Sequence, residues 1–224
     1  MMIKSSQTPD RLVIFDLDGV LVDAQGAESQ ALMRLGLGMG VELTDELADD
    51  LFSGKRLSTC IALLEELAGT SAPADAVDIV RSTCEQILRT TLRPIPGVEQ
   101  VLACLSVHMC VASNSPRGII HSRLEATGLA EYFGDCIYSA YDIGFWKPDP
   151  HLFLWAAETC GYPTDRCVVI EDSTVGVQAS LSADIPVLRY SSPAQHAETD
   201  EVTSFCDMRH LPALLEAGPS HTLC

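Results

Sequence analysis

The chain has 224 residues, of which 47% are hydrophobic and 20% are charged, so its composition is globular and not disordered. Its formal net charge of -17 repels phosphate backbones and anionic lipid, which argues against nucleic acid and membrane partners. The same field repels an anionic small molecule, so a site for one needs a local cation or a metal ion.

The nine cysteines form no CxxC pair, and several lie inside apolar runs such as MCVAS and CVVIE. This pattern is typical of small core side chains in a reducing cytosol, and it argues against disulfides and against a zinc site. The first ten residues contain no apolar signal segment, and no run reaches membrane-spanning length without a charge. We therefore expect a cytoplasmic protein.

The first strand candidate, 12–16, ends at Asp16, and Asp18 follows two residues later. The next segment, 24–93, contains no clear strand and is rich in alanine, leucine and glutamate. Its patterns predict helices over roughly 25–38, 44–52, 57–69 and 73–91. We expect a helical insert that lies over the carboxyl edge of a sheet and acts as a lid.

Strands and helices alternate in the rest of the chain. The strand candidates are 107–113, 136–139, 166–171 and 185–189, and the helical patterns cover 97–106, 117–130, 150–161 and 173–183. This alternation predicts an open, doubly wound α/β sheet, in which ligands bind at the carboxyl ends of the strands. The predicted domains are an α/β core of residues 1–23 and 94–224 and an α-helical cap of residues 24–93.

Polar residues follow the predicted strands at these carboxyl ends. They are Asp16 and Asp18 after the first strand, Ser113 and Asn114 after the second, Lys147 in the loop GFWKPDP after the third, and Glu171 and Asp172 after the fourth. Any one of them would be an ordinary turn, helix cap or surface residue. Because parallel strand ends meet at one edge of the sheet, their coincidence predicts a functional site there.

The acids in this set repel one another, and a hard, oxygen-ligating ion such as Mg²⁺ removes that cost. Carboxylate oxygens of Asp16 and Asp172, a backbone carbonyl near Asp18 and waters would complete an octahedron, with Glu171 bound directly or through water. Lys147 would add a fixed positive charge.

Ser113 and Asn114 would add hydrogen-bond donors, so the set is suited to holding a phosphate against a metal ion. In such a site one aspartate can act as a covalent nucleophile and a second acid can transfer the proton.

The four segments FDLDGVLVD, VASNS, GFWKPDP and VIEDSTVGVQAS resemble the four motifs of the haloacid dehalogenase superfamily, over nearly the whole chain. Their order and spacing are similar to those of members with a helical cap after strand one, such as β-phosphoglucomutase and the sugar-phosphate phosphatases. The resemblance implies a Rossmann-like core, a Mg²⁺ cofactor and a small phosphorylated metabolite as the partner. It implies no protein partner.

The resemblance also implies a role for each motif residue. Asp16 matches the nucleophile that forms an aspartyl-phosphate, Asp18 the general acid/base, and Ser113 and Lys147 the residues that stabilise the transferring phosphoryl group. The metal-binding positions are Asp16, Asp18, Glu171 and Asp172. The loop FSGKRLS, at 52–58, resembles the cap loop that selects substrate, so the implied substrate-binding positions are Gly54, Lys55, Arg56 and Asn114.

The functional alternatives remain open at this point. We expect a phosphatase for a sugar or sugar-acid phosphate. A phosphoglucomutase-like transferase would use the same residues. A dehalogenase or a phosphonate hydrolase is disfavoured because the family members with those activities lack the acid at the position of Asp18. An inactive scaffold or a phospho-accepting receiver is disfavoured by the intact motif set and by the cap.

Overall fold

The computed structural model describes residues 11–24, 26–52, 55–191 and 202–217. The chain divides into two compact units. One contains the chain up to Asp23 and from Arg93 onward, and the other is Ala24–Leu92. None of the helices in the described part of the chain combines the length and the hydrophobicity that crossing a bilayer needs.

A parallel sheet forms the centre of the first unit. In chain order the strands are β1 (Leu12–Phe15), β2 (Val22–Asp23), β3 (Arg93–Pro94), β4 (His108–Ser113), β5 (Ile137–Ser139), β6 (Cys167–Glu171), β7 (Val187–Tyr190) and β8 (Ser204–Phe205). The sheet has the order β5-β4-β1-β6-β7-β8, and all its pairs are parallel. β2 and β3 form a separate antiparallel pair. This arrangement confirms the predicted α/β class.

The helices complete both units. They are α1 (Ala27–Gly38), α2 (Asp45–Phe52), α3 (Leu57–Ala68), α4 (Ala76–Thr91), α5 (Val98–Cys104), α6 (Arg117–Ala126), α7 (Ala130–Phe133), α8 (Ala140–Ile143), α9 (His151–Cys160), α10 (Thr174–Ser182) and α11 (Leu211–Ala217). The first four make up the second unit, and the other seven belong to the first.

β1 lies in the middle of the sheet because all four of its residues are apolar. Leu12, Val13, Ile14 and Phe15 are fully buried. A parallel strand with neighbours on both sides satisfies its backbone groups there, and helices cover its two faces. The strand therefore places the acid that follows it, Asp16, at the middle of the carboxyl edge.

Two of the differences from the sequence prediction have clear local reasons. The predicted helix 117–130 is broken, because Gly128 adopts a φ of 74° and the Leu129 amide donates back to the carbonyl oxygen of Leu124. The strand predicted at 185–189 begins at Val187. Asp184 has a φ of 53°, and the Ile185 amide donates back to Ser180, so both residues belong to the turn that ends α10.

Candidate active site

Lys147 lies between two carboxylates at the carboxyl edge of the sheet. Its Nζ is 2.5 Å from Asp16 Oδ1 and 2.7 Å from Glu171 Oε1. The exposed fraction of the Lys147 side chain is only 2%, and that of Glu171 is 1%. Burial alone would lower the pKa of Lys147, but the charges of Asp16 and Glu171 outweigh it and raise that pKa. Lys147 is therefore a permanent cation inside the site.

The backbone of Lys147 is fixed by a neighbouring strand end. Asn114 Oδ1 accepts a hydrogen bond of 2.9 Å from the Lys147 amide, and Asn114 Nδ2 donates to the Lys147 carbonyl oxygen at 3.4 Å. The Nζ of Lys147 also lies 4.9 Å from the centre of the Phe153 ring. Asn114 was predicted to bind substrate. The structure shows its amide holding the lysine loop, and a substrate contact stays a prediction.

Glu171 is held from its other side by the start of α10. Its Oε2 accepts hydrogen bonds from the backbone amide and the hydroxyl of Ser173, at 2.8 and 2.9 Å. The Ser173 hydroxyl in turn accepts from the Gly176 amide and caps the helix. A Cβ atom at Gly176 would lie 1.7 Å from Glu171 Oε1. Only glycine leaves room for this buried carboxylate.

Asp172 lies against the turn that follows β1. A Cβ atom at Gly19 would be 2.1 Å from Asp172 Oδ2, and Gly19 has a φ of 87°, so this position needs glycine for two reasons. Burial, followed by the charge of Glu171, raises the pKa of Asp172 to about 7. Burial also raises the pKa of Asp16, although Lys147 opposes that shift. Both acids are costly to ionise without a further cation.

The acids of this edge have the donor set of a hard divalent cation. Asp16, Glu171 and Asp172 each offer an oxygen, and these atoms lie within 4.8 Å of one another. When all three are ionised, Lys147 compensates one of their charges and leaves two. A divalent ion with carboxylate ligands, such as Mg²⁺, balances that remainder, so the residues present fit the predicted metal.

Asp18 has partners of its own outside this set. Arg123 Nη1 is 2.5 Å from Asp18 Oδ1, and the Ser115 hydroxyl is 3.3 Å from Asp18 Oδ2. The structure thus places the Asp18 side chain beside the three clustered carboxylates rather than among them. Its predicted role as a metal ligand stays a prediction.

Arg123 was not found by reading the sequence. Its side chain is only 11% exposed, because α6 turns it toward the face that carries the buried Ile120 and Leu124. The sequence does contain one indication, because Arg123 is three residues after Ile120 and four before Thr127, which places it on the buried face of the predicted helix. Arg123 is the residue that orients the carboxylate of Asp18.

Ser113 ends β4 and is 3% exposed. Its hydroxyl oxygen accepts a hydrogen bond from the Ser115 amide at 3.1 Å, which leaves the hydroxyl hydrogen free to donate. Ser139 at the end of β5 donates to the Ser115 carbonyl oxygen at 2.7 Å and fixes the same turn. The strand ends therefore set the direction of the predicted phosphate-binding hydroxyl.

The predicted cap positions lie in the second unit. Gly54 falls outside the described residues. Lys55 is exposed, and its ammonium donates to the carbonyl oxygens of Asp50 and Leu51 at 3.3 and 2.6 Å, where it caps the end of α2. Arg56 is exposed and immediately precedes α3. Arg56 is the N-cap residue of that helix, but its side chain makes no capping hydrogen bond there, unlike the ammonium of Lys55.

Gly176→Ala should lower the free energy of unfolding, because the new methyl group overlaps a carboxylate that Lys147 and Ser173 hold in place. Gly118→Ala is the matched control, since Gly118 also lies in a helix and a Cβ there meets nothing within 4 Å. We expect the control to be neutral or stabilising by up to about 1 kcal/mol and Gly176→Ala to be destabilised by roughly 1–3 kcal/mol, as for other overpacked sites. If Gly176→Ala and the wild type unfolded at the same urea concentration, Glu171 would be able to move away from the new methyl group without loss of stability.

Comparisons with known proteins agree with this geometry. The family model of haloacid dehalogenase-like hydrolases matches residues 11–184. The 6-phosphogluconate phosphatase of Escherichia coli is 30% identical over 92% of this chain and 94% of its own. A haloacid dehalogenase-like protein of unknown function from Agrobacterium tumefaciens has a TM-score of 0.79 at 31% identity, and the alignment covers 92% of this chain and 98% of that one.

A third similar protein has been solved with bound ions. The family hydrolase from Deinococcus radiodurans, whose structure contains bound phosphate and sodium, has a TM-score of 0.76 at 29% identity, over 94% of this chain and 96% of its own. The sheet order, the motif residues at its carboxyl edge and the family match lead to one conclusion. This chain belongs to the haloacid dehalogenase-like hydrolases.

Proposed function

We propose that the chain is a Mg²⁺-dependent phosphatase that hydrolyses a sugar or sugar-acid phosphate through an aspartyl-phosphate on Asp16. The observation that carries this proposal is the position of Asp16, whose carboxylate lies at the middle of the sheet edge against the buried cation Lys147. The match to a 6-phosphogluconate phosphatase supports the substrate class. The free thiols of the eight described cysteines support the cytoplasm as its location.

In the first half-reaction, a carboxylate oxygen of Asp16 attacks phosphorus and the bond from phosphorus to the sugar oxygen breaks. Lys147 and the hydroxyl of Ser113 balance the charge on the transferring phosphoryl oxygens. Asp18 gives a proton to the leaving alkoxide, so that it departs as an alcohol. Arg123 and Ser115 hold the Asp18 carboxylate in one orientation for this transfer.

In the second half-reaction, Asp18, now ionised, takes a proton from water, and the water oxygen attacks phosphorus. The bond from phosphorus to Asp16 breaks, which frees the carboxylate and inorganic phosphate. Asp16, Glu171 and Asp172 would hold Mg²⁺, which supplies positive charge near the phosphoryl oxygens when it is bound. Asp18 then has again the proton that the next cycle requires.

A phosphoglucomutase-like transferase is the second candidate, because it differs only in the group that attacks the aspartyl-phosphate. A panel of phosphorylated sugars and sugar acids, assayed for phosphate release with Mg²⁺ present, tests the proposal directly. Conversion of glucose 1-phosphate to glucose 6-phosphate should be measured beside it. Release of phosphate without isomerisation supports the phosphatase, and isomerisation without release would replace it by the mutase.

Asp16→Asn should reduce phosphate release to background while the protein stays folded, because an amide is not a nucleophile at this position. Acid-quenched wild-type protein should carry a phosphate on the peptide that contains Asp16, detectable by mass spectrometry, and the variant should not. Asp142→Asn is the control, since Asp142 is an acid of the first unit paired with Arg117 at the surface. Substantial turnover by Asp16→Asn would exclude the covalent route.

Asp18→Asn should cost roughly 10²–10⁴-fold in kcat on a sugar phosphate. If Arg123 acts through Asp18, Arg123→Ala should cost roughly 10²-fold at most. In the Asp18→Asn background, Arg123→Ala should cause no further loss of kcat. Both losses should be smaller on p-nitrophenyl phosphate, whose leaving group needs little protonation.

Arg117→Ala is the control for Arg123, because Arg117 lies on the same helix and pairs with Asp142 instead. Additive losses in the double variant would mean that Arg123 acts on something other than Asp18.

Arg56→Ala should raise KM for the best sugar or sugar-acid phosphate and leave turnover of p-nitrophenyl phosphate almost unchanged. The reason is electrostatic, since a substrate of this acidic protein must be held by local cations, and Lys147 is already used by the transferring group. Arg89→Ala, at an exposed position in the last turn of α4, is the matched control. The same KM for Arg56→Ala and wild type would remove Arg56 from the substrate site.

A further inference from the structure

A second cluster of ligand-type side chains lies at the opposite edge of the sheet. His108 is the first residue of β4, Cys136 directly precedes β5, and Cys160 is the last residue of α9. β4 and β5 are adjacent parallel strands, and Ile137 at the start of β5 lies opposite Val111, so Cys136 lies beside the first half of β4. Along the strands, His108 is five residues or about 17 Å from Ser113, and Cys136 is three residues or about 10 Å from Ser139, so the cluster is separate from the active-site edge.

The spacing of the three ligand atoms is that of a small tetrahedral site. One nitrogen and two sulfur atoms lie within 4.8 Å of one another, and Cys136 Sγ is 3.6 Å from His108 Nε2. A zinc ion with bonds of about 2.3 Å to sulfur and about 2.0 Å to nitrogen places neighbouring sulfur and nitrogen ligands about 3.6 Å apart. Small side-chain rotations would therefore bring the three ligand atoms to bonding distance from one zinc ion.

The surroundings keep these groups reachable and favour the metal-binding form of one thiol. All three side chains are partly buried, so they are neither sealed in the core nor free at the surface. The Tyr138 hydroxyl is 3.2 Å from Cys160 Sγ. When Cys160 is a thiolate, the Tyr138 hydroxyl can only donate to it, and that hydrogen bond favours the charged form. The thiolate is the form that binds metal.

We propose that His108, Cys136 and Cys160 bind one Zn²⁺ ion, with water in the fourth position. Two thiolates and a neutral imidazole balance a divalent charge, and soft sulfur ligands select zinc over the Mg²⁺ that the carboxylate site prefers. The ion would tie the end of α9 to the starts of β4 and β5. The sequence argued against zinc because it has no CxxC pair, but here each ligand comes from a different element.

The test uses the full chain, stripped of metal with a chelator and then titrated with Co²⁺ as a spectroscopic substitute for zinc. We expect one equivalent of Co²⁺ to produce sulfur-to-cobalt charge-transfer absorption, and one equivalent of Zn²⁺ to abolish it. Cys160→Ser, Cys136→Ser and His108→Gln should each weaken binding by at least 10-fold. Zn²⁺ should raise the melting temperature of the wild type and not that of Cys160→Ser.

Two controls separate this site from the other thiols and from the proposed phosphatase site. Cys104→Ser should bind as wild type does, because the exposed Cys104 bonds only to the Val101 carbonyl oxygen among its described partners. Asp172→Asn should keep the charge-transfer band although it damages the carboxylate site. The absence of the band in wild type, wild-type Co²⁺ affinity in Cys160→Ser, or loss of the band in Cys104→Ser would each overturn the proposal.

Discussion

The structure of the active-site edge depends on one buried ion triad, in which the Lys147 ammonium contacts the carboxylates of both Asp16 and Glu171. Removing Lys147 would leave both buried acids without their cation, a change that typically costs about 3–5 kcal/mol. The triad also joins three parts of the chain that are distant in sequence, the end of β1, the loop before α9 and the end of β6. The ammonium therefore sets the positions of the two acids on either side of it.

Residues next to the triad hold it in one arrangement, and they are small or already part of a turn or a helix cap. Asn114 binds the Lys147 backbone at two points, and Ser173 binds the far oxygen of Glu171 while it caps α10. Gly19 and Gly176 allow the carboxylates of Asp172 and Glu171 to approach the backbone directly. The acids are thus held in place before any cation or substrate arrives, which is the condition for electrostatic catalysis without reorganisation.

Much of this could be read from the sequence because its signals are local. A run such as LVIF predicts a strand buried on both faces, and the polar residue that ends each parallel strand predicts an edge where ligands bind. The sequence did not identify Arg123 as a site residue, because its partner Asp18 lies 105 residues away and a charged residue in a helix is usually on the surface. β8, with only two residues, is too short for a periodic pattern.

The grouping of His108, Cys136 and Cys160 could not be read from the sequence for a related reason. Their spacings of 28 and 24 residues match no metal-binding pattern, and only the adjacency of β4 and β5 with the end of α9 brings them together. Gly176 shows the same limit. A glycine inside a helix pattern predicts lower helix stability, whereas here its missing side chain is the space that Glu171 occupies.

The burial of Lys147 has a practical consequence for chemical attachment of the protein. The chain contains only two other lysines, Lys4 and Lys55. Acylating reagents attack neutral, accessible amines, and Lys147 is neither, because its side chain is 2% exposed and its charge is stabilised by two carboxylates. Coupling to an amine-reactive support would therefore leave Lys147 unmodified and react with the exposed amine of Lys55.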